Sequence, residues 1–391
     1  MNIKTGFAAL MAALLLLPGL AKADEQPMET EAPFELTSPS AILCEASTGR
    51  VIFEKNADER RPVASVNKVM TILLTLEAID EGRASQEDRV TISTRAASMG
   101  GSQAFLDAGE SYKLGELLKT VIVASANDSA VALAEYLAGS EEGFVKQMNA
   151  RAEELGLENT HYVNCTGLPA QNHYTTARDV AKLSAQLDLH PLYYKYSTIW
   201  MDEIRHRGGR VTSLTNTNRL IRFYPGCDGY KTGSTNEARY CVSATAKKDG
   251  MRLIAVVLGT PAGQTRFDEA RAMLEYGFAN VQLVTPIAQG QAMDMTVPVR
   301  LGGRDEVSVV SGGTCSLLEK RGEKSALSLE AALVEKVTAP VYAGDVIGEI
   351  RVKRGGEVVA VVPAVAGEDV QLPGLVDALI RIRDHFMLTG A

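Results

Sequence analysis

Pro62-Val-Ala-Ser65-Val-Asn-Lys68 runs directly into an apolar stretch containing Val69, Met70, Ile72, Leu73, Leu74 and Leu76. This juncture constrains the chain more than any other segment. It predicts a helix from about Ser65 to Glu81, stopped by Gly82. Residues i and i+3 of a helix share a face, with Cβ atoms about 5–6 Å apart, so the Lys68 amine can reach the Ser65 hydroxyl. A hydroxyl needs a neighbouring base to become a nucleophile, and a lysine serves only when neutral. From a reference pKa of about 10.4, being half neutral near pH 7 costs about 5 kcal/mol. Apolar neighbours or a nearby cation can supply that. Alone, the tetrapeptide also describes a capped helix start with a solvated lysine.

The surrounding pattern is mixed α and β from about Ser38 to Leu283. Ala41–Ala46 and Gly49–Glu54 read as a hairpin turning at Ser47-Thr48-Gly49. Leu114, Leu117, Leu118, Val121 and Ile122 recur at helical spacing, and Ala130–Leu137 reads as a further helix ending at Gly139. Ser125 to Asp128 therefore fall in the loop between two helices. Tyr240–Ala246 and Leu253–Leu258 read as strands joined at Lys248-Asp249-Gly250. Lys231-Thr232-Gly233 sits on the strand before them, and a helix from Phe267 to about Phe278 closes the region. Beyond Val284, Val-rich short strands with Gly turns predict a separate all-β domain, including a hairpin turning at Gly355-Gly356.

Ser65-x-x-Lys68, Ser125-x-Asn127 and Lys231-Thr232-Gly233 occur in that order, and together they resemble the motif set shared by β-lactamases and penicillin-binding proteins. The set implies one acyl-transfer site. Ser65 would attack a carbonyl with neutral Lys68 as base, Ser125 would relay a proton to the leaving amine, and Asn127 would hold the substrate amide. Lys231 would help depress the Lys68 pKa and draw a substrate carboxylate. Thr232, Gly233 and Ser234 would align an extended substrate along the strand edge. The N–H groups of Ser65 and Ser234 would form the oxyanion hole.

Further segments sharpen the resemblance: Asn127-Asp128-Ser129, Gly167-Leu168, His173-Tyr-Thr-Thr-Ala-Arg-Asp179 and Gly226-Cys-Asp-Gly-Tyr-Lys-Thr-Gly-Ser-Thr235. The chain resembles the low-molecular-weight penicillin-binding proteins, serine-type D-alanyl-D-alanine carboxypeptidases, nearest to their sporulation-associated branch. The resemblance implies an α+β, β-lactamase-like catalytic domain with an antiparallel sheet flanked by helices, followed by a β-rich domain and an amphipathic tail. It also implies removal of the terminal D-alanine from peptidoglycan pentapeptides, with β-lactams acylating the same serine and no cofactor. Arg266 matches a family arginine that binds the substrate's terminal carboxylate. Asp179 matches a loop that supports deacylation, although a helix-start carboxylate describes it equally. His173 is read as a surface residue. The chain departs from better-known carboxypeptidases at Ser234, where they often carry histidine. A class A β-lactamase would need Glu-x-x-Leu-Asn between Ser125 and Lys231, which is absent. A non-catalytic wall-binding or penicillin-binding protein remains the other alternative.

Residues 1–23 read as an export signal: Lys4, an apolar run from Gly6 to Leu17, and the small-x-small site Ala21-Lys22-Ala23. Residues 24–37 are then a linker, 38–283 the catalytic domain, 284–371 the β domain and 372–391 the tail helix. The expected location is the outer face of the cytoplasmic membrane or the cell wall. The net charge of −8 argues against nucleic acid as a partner. Five scattered cysteines are too few for a disulfide framework and read as small core residues. The five histidines lack metal-ligand spacing, so no metal is expected. Leu372, Leu375, Val376, Leu379, Ile382, Phe386 and Met387 share one helical face. A helix of about 25 Å could lie in a membrane interface but cannot cross about 30 Å of hydrocarbon. Docking of this helix on the protein itself is the alternative.

Overall fold

The structure is a computed structural model and describes Met28 and residues 34–323, 326–374 and 379–380. The export-signal expectation over residues 1–23 lies outside the described residues. The chain divides into two compact units, Glu25–Gln282 and a second containing everything from Leu283 onward.

The first unit is built on a five-stranded sheet from β1 (Ser40–Glu45), β2 (Val51–Lys55), β3 (Cys227–Thr235), β4 (Arg239–Lys248) and β5 (Met251–Thr260). Their order is β2-β1-β5-β4-β3, antiparallel throughout. The strand carrying Lys231-Thr232-Gly233 is therefore an edge strand, with one side of its backbone left for another chain. The helices are α1 (Lys68–Asp80), α2 (Leu114–Val123), α3 (Asn127–Ala138), α4 (Glu141–Glu154), α5 (Ala177–Gln186) and α6 (Thr265–Asn280). Every α1 residue from Lys68 to Leu76 is buried, and α1 packs against α2, α3 and α5. A helix that is enclosed on all sides needs no polar stripe, which is why its sequence reads as an apolar run.

Two boundaries differ from the sequence expectation. Ala64–Asn67 form a short 3₁₀ turn, and the α-helix begins only at Lys68. Asn127 opens α3 instead of sitting in the loop, since Ala126 already serves as the cap. Thr37, expected to end a linker, and Ser38, expected to open the catalytic domain, both donate to the buried Glu269 carboxylate on α6. All five cysteines are buried and unpaired, in keeping with their expected place as small core residues.

The second unit holds β6 (Ala292–Arg300), β7 (Glu306–Ser311), β8 (Leu327–Leu333), β9 (Val337–Thr338), β10 (Val346–Arg354) and β11 (Glu357–Ala366). These form one sheet, β8-β10-β11-β7-β6-β9, with only the β6–β9 pair parallel. Alternate residues such as Val307 and Val309, or Ile350 and Val352, enter its core, as a strand period of two requires. The expected tail helix does not start at Leu372: residues 371–374 carry neither helix nor strand, whereas Leu379 and Ile380 are helical. Pro373 explains the delay, because a residue before proline is driven from helical backbone angles. The rest of the tail lies outside the described residues. Among the described residues no helix is long and apolar enough to cross a membrane.

Candidate active site

A 3₁₀ turn has three residues per turn, so positions i and i+3 eclipse. Ser65 and Lys68 occupy such positions, and Lys68 Nζ lies 2.8 Å from Ser65 Oγ. The same amine donates to the Thr166 carbonyl at 2.7 Å. Lys68 is fully enclosed, and burial pushes its pKa down to about 7 against weaker opposing pulls from Cys165 and Asp128. A neutral amine so placed can keep one N–H on Thr166 and offer its lone pair to the Ser65 proton.

The turn is tight because two glycines press on it. A Cβ on Gly167, whose φ is +81°, would fall 2.0 Å from the Ala64 carbonyl oxygen. A Cβ on Gly233 would lie 2.5 Å from the Val63 carbonyl oxygen and 2.8 Å from the Ser65 nitrogen. The glycine of Lys-Thr-Gly is thus what lets the edge strand approach the nucleophile turn. Ala64 and Ser125 are both held at positive φ, +49° and +62°. Side-chain-bearing residues accept that cost of about 1–3 kcal/mol only where their surroundings over-determine them.

Ser125 is buried, and its Oγ has no partner among the described residues. Asn127 is anchored through its backbone N–H to Ser102 O at 2.7 Å and its Nδ2 to Gly100 O at 2.7 Å, which leaves the buried Oδ1 unpaired. Its neighbour Asp128 accepts from the N–H groups of Ala104, Leu106 and Ser129, so a buried carboxylate shapes the 100–106 loop around this motif. A buried polar atom with no partner is costly unless a ligand satisfies it. Ser125 Oγ and Asn127 Oδ1 are two such atoms.

Lys231 is enclosed as well, with Nζ donating to Thr232 O at 3.0 Å. Burial lowers its pKa strongly, and the charges of Lys68 and Arg266 lower it further. The expected depression of Lys68 by Lys231 is not the operating cause: burial lowers the Lys68 pKa, and it is the Lys231 pKa that the neighbouring amine lowers, after burial. Thr232 Oγ1 donates to Thr217 Oγ1 at 2.8 Å, and Ser234 is exposed on the edge. Arg266 reaches the same strand: Nη1 donates to Gly233 O at 2.9 Å and to Cys241 O at 3.3 Å. Its guanidinium lies over the Phe267 and Tyr240 rings, and the buried Nε has no partner among the described residues.

Asp179 stands apart from this assembly. It lies in the first turn of α5, as the helix-start description has it, and its carboxylate accepts from Asn159 N and Thr160 Oγ1 at 2.9 and 2.8 Å, tying the 159–160 segment to that helix. The reading of His173 as a surface residue is overturned. Its ring is half-buried against Tyr162, and Nε2 lies 2.8 Å from Asn67 Oδ1. Sequence reasoning also missed Asn164 and Thr166, which act through carbonyl and turn geometry with no signature beyond the adjacent Gly167-Leu168, and Thr217, whose hydroxyl accepts from Thr232. Asp107, Glu110 and His206 gather potential metal-ligand atoms within 4.8 Å. Both His206 ring nitrogens, however, are already bonded, to Tyr112 Oη at 2.7 Å and Thr212 Oγ1 at 2.8 Å.

Residues 26–262 match the D-alanyl-D-alanine carboxypeptidase family, and residues 282–372 match the C-terminal domain of penicillin-binding protein 5. The chain belongs to the D-alanyl-D-alanine carboxypeptidase family. It is 40% identical to D-alanyl-D-alanine carboxypeptidase DacF of Bacillus subtilis (strain 168), the match covering 88% of each chain. It is 35% identical to D-alanyl-D-alanine carboxypeptidase DacC of Escherichia coli (strain K12), over 99% of this chain and 96% of that one. The crystal structure of penicillin-binding protein 5 from Haemophilus influenzae superposes with a TM-score of 0.72 at 29% identity, covering 87% of this chain and 99% of that one.

Proposed function

We propose that this chain removes the terminal D-alanine from peptidoglycan stem pentapeptides through an acyl-enzyme on Ser65, and that β-lactams acylate the same residue. One observation carries the reading: Lys68 Nζ lies 2.8 Å from Ser65 Oγ while burial brings its pKa to about 7. The extended peptide lies along the open edge of β3, where main-chain bonds to Thr232–Ser234 set its register. Its terminal carboxylate sits near Lys231 and Arg266, and the unpaired Asn127 Oδ1 accepts from its amide. Lys68 accepts the Ser65 proton as Oγ bonds to the carbonyl carbon, and the N–H groups of Ser65 and Ser234 hold the oxyanion. As the intermediate collapses, the C–N bond breaks and D-alanine leaves, its amine taking a proton through Ser125. Water then attacks the ester and Ser65 recovers its proton. With a β-lactam, the opened ring keeps the leaving amine tethered, so the adduct persists. Asp179 supports the second half-reaction by fixing the 159–160 loop.

Export through residues 1–23, domains at 38–283 and 284–371, and peripheral attachment through residues 372–391 belong to the same proposal. The 40% identity to DacF supports placing the chain beside the sporulation-associated branch. The test is direct. The protein lacking residues 1–23 should release D-alanine from diacyl-Lys-D-Ala-D-Ala, and labelled penicillin should form an adduct on the peptide holding Ser65. Ser65→Ala should remove both. An adduct that survives Ser65→Ala overturns the assignment.

A further inference from the structure

We propose that His173 is a positioning residue for acylation: through Asn67 it locks the nucleophile turn to the segment whose Thr166 carbonyl holds Lys68. This inference rests on the proposed role of Ser65 and Lys68. The Val163 backbone N–H donates to His173 Nδ1 at 3.3 Å. An N–H can only donate, so Nδ1 must be unprotonated and the hydrogen resides on Nε2. Nε2–H therefore donates to Asn67 Oδ1 at 2.8 Å. That fixes the Asn67 amide orientation and points its Nδ2 at the Asn164 carbonyl, 3.2 Å away.

Asn164 is the hub of the next segment. Its Oδ1 accepts from Thr166 N, Thr166 Oγ1 and Gly167 N at 3.1, 3.0 and 2.7 Å, and its Nδ2 donates to Leu168 O at 2.9 Å. The turn so formed presents Thr166 O to Lys68 Nζ at 2.7 Å and presses Gly167 against Ala64. The chain of bonds thus begins at His173 and ends on the amine beside Ser65. Asn67, its middle link, is itself a residue of the nucleophile turn and is 3% exposed.

His173 is suited to a fixed donor's part and not to a proton carrier's. Burial, with a smaller push from His161, lowers its pKa to about 4. The ring is thus neutral at pH 7, with its hydrogen on Nε2. Around Lys68 the charged or titratable groups are Asp128, Cys165 and Lys231. None of these touches His173, so a change at residue 173 reaches Lys68 through the hydrogen-bond chain.

The experiment compares His173→Ala, His173→Leu and His173→Gln with the parent protein by the rate of Ser65 acylation with labelled penicillin from pH 5 to 9, alongside thermal melting. His173→Ala and His173→Leu should acylate roughly 5–20-fold more slowly, since a sub-ångström loosening near the reacting atoms is costly. Their acid limb should move to lower pH, because a carbonyl held against an amine favours its charged form and that hold is relaxed. His173→Gln, which offers both a donor and an acceptor, should stay within about threefold of the parent. Leucine fills most of the ring's volume, so it reports even if the alanine protein folds poorly. Acylation at the parental rate with an unmoved limb in a folded His173→Leu protein overturns the proposal, as does a glutamine protein as slow as the leucine one. A parent protein that never labels Ser65 instead refutes the functional assignment.

Discussion

The Lys68 pKa makes the sharpest prediction. An amine held at about 7 is half neutral at pH 7, whereas one at the ordinary 10.5 would be neutral in about 0.03% of molecules. Burial thus raises the population of competent base roughly 1,500-fold, at a cost of about 5 kcal/mol. The rate of Ser65 acylation by penicillin, measured under second-order conditions, should be level above about pH 8. It should fall to about one-tenth of that plateau at pH 6 and about one-hundredth at pH 5. Lys68→Arg keeps the charge but cannot supply a base, because guanidinium stays protonated, and should acylate at least 1,000-fold more slowly at pH 7. The same displacement has a stability consequence of defined sign. Below about pH 7 the folded protein bears the full cost of a buried ammonium. Between about 7 and 10.5 the unfolded chain binds the extra proton, so stability from this group rises with pH, and above 10.5 the effect is complete. The stability gap between Lys68→Met and the parent should therefore shift toward the parent by about 3 kcal/mol between pH 7 and pH 10, read by urea unfolding. An acylation rate flat from pH 5 to 9, or a limb centred near 10, would refute the buried-base argument.

Gly233→Ala puts a methyl 2.5 Å from the Val63 carbonyl oxygen. The edge strand must back away by well over half an ångström, so acylation should drop about 10- to 100-fold and the protein should lose about 1–3 kcal/mol of stability; a parental rate would show that the strand's approach is not limiting. Lys231→Arg retains a cation for the substrate carboxylate and should keep far more activity than Lys68→Arg; equal losses in D-alanine release would erase the proposed division of labour. Truncation after Val370 should release the protein from liposomes without affecting peptide hydrolysis, and added salt should weaken binding little because the tail's charges cancel. Full-length protein that ignores liposomes, or a truncated protein that loses activity, removes the attachment proposal.

Sequence alone determined the elements whose information is local. The apolar run after Lys68 specified a buried helix, the alternation around Gly355-Gly356 specified a hairpin, and the three spaced motifs named Ser65, Lys68, Ser125, Asn127 and Lys231 but not Asn164, Thr166 or Thr217. These signals are legible because periodicity and turn chemistry act between residues close in the chain. The tertiary structure decided what depends on distant segments meeting. Ser65 lies on a 3₁₀ turn and not in the α-helix, because Gly167 and Gly233 press on that turn from segments far along the chain. Lys-Thr-Gly lies at the sheet's edge only because β1 pairs with β5, which leaves β3 without an outer neighbour. Asp179 and His173 sit six residues apart in one motif, yet the fold sends the former to Asn159 and the latter to Asn67. The depth of the Lys68 pKa shift likewise belongs to the fold, since desolvation is a property of everything packed around an amine and not of its neighbours in sequence.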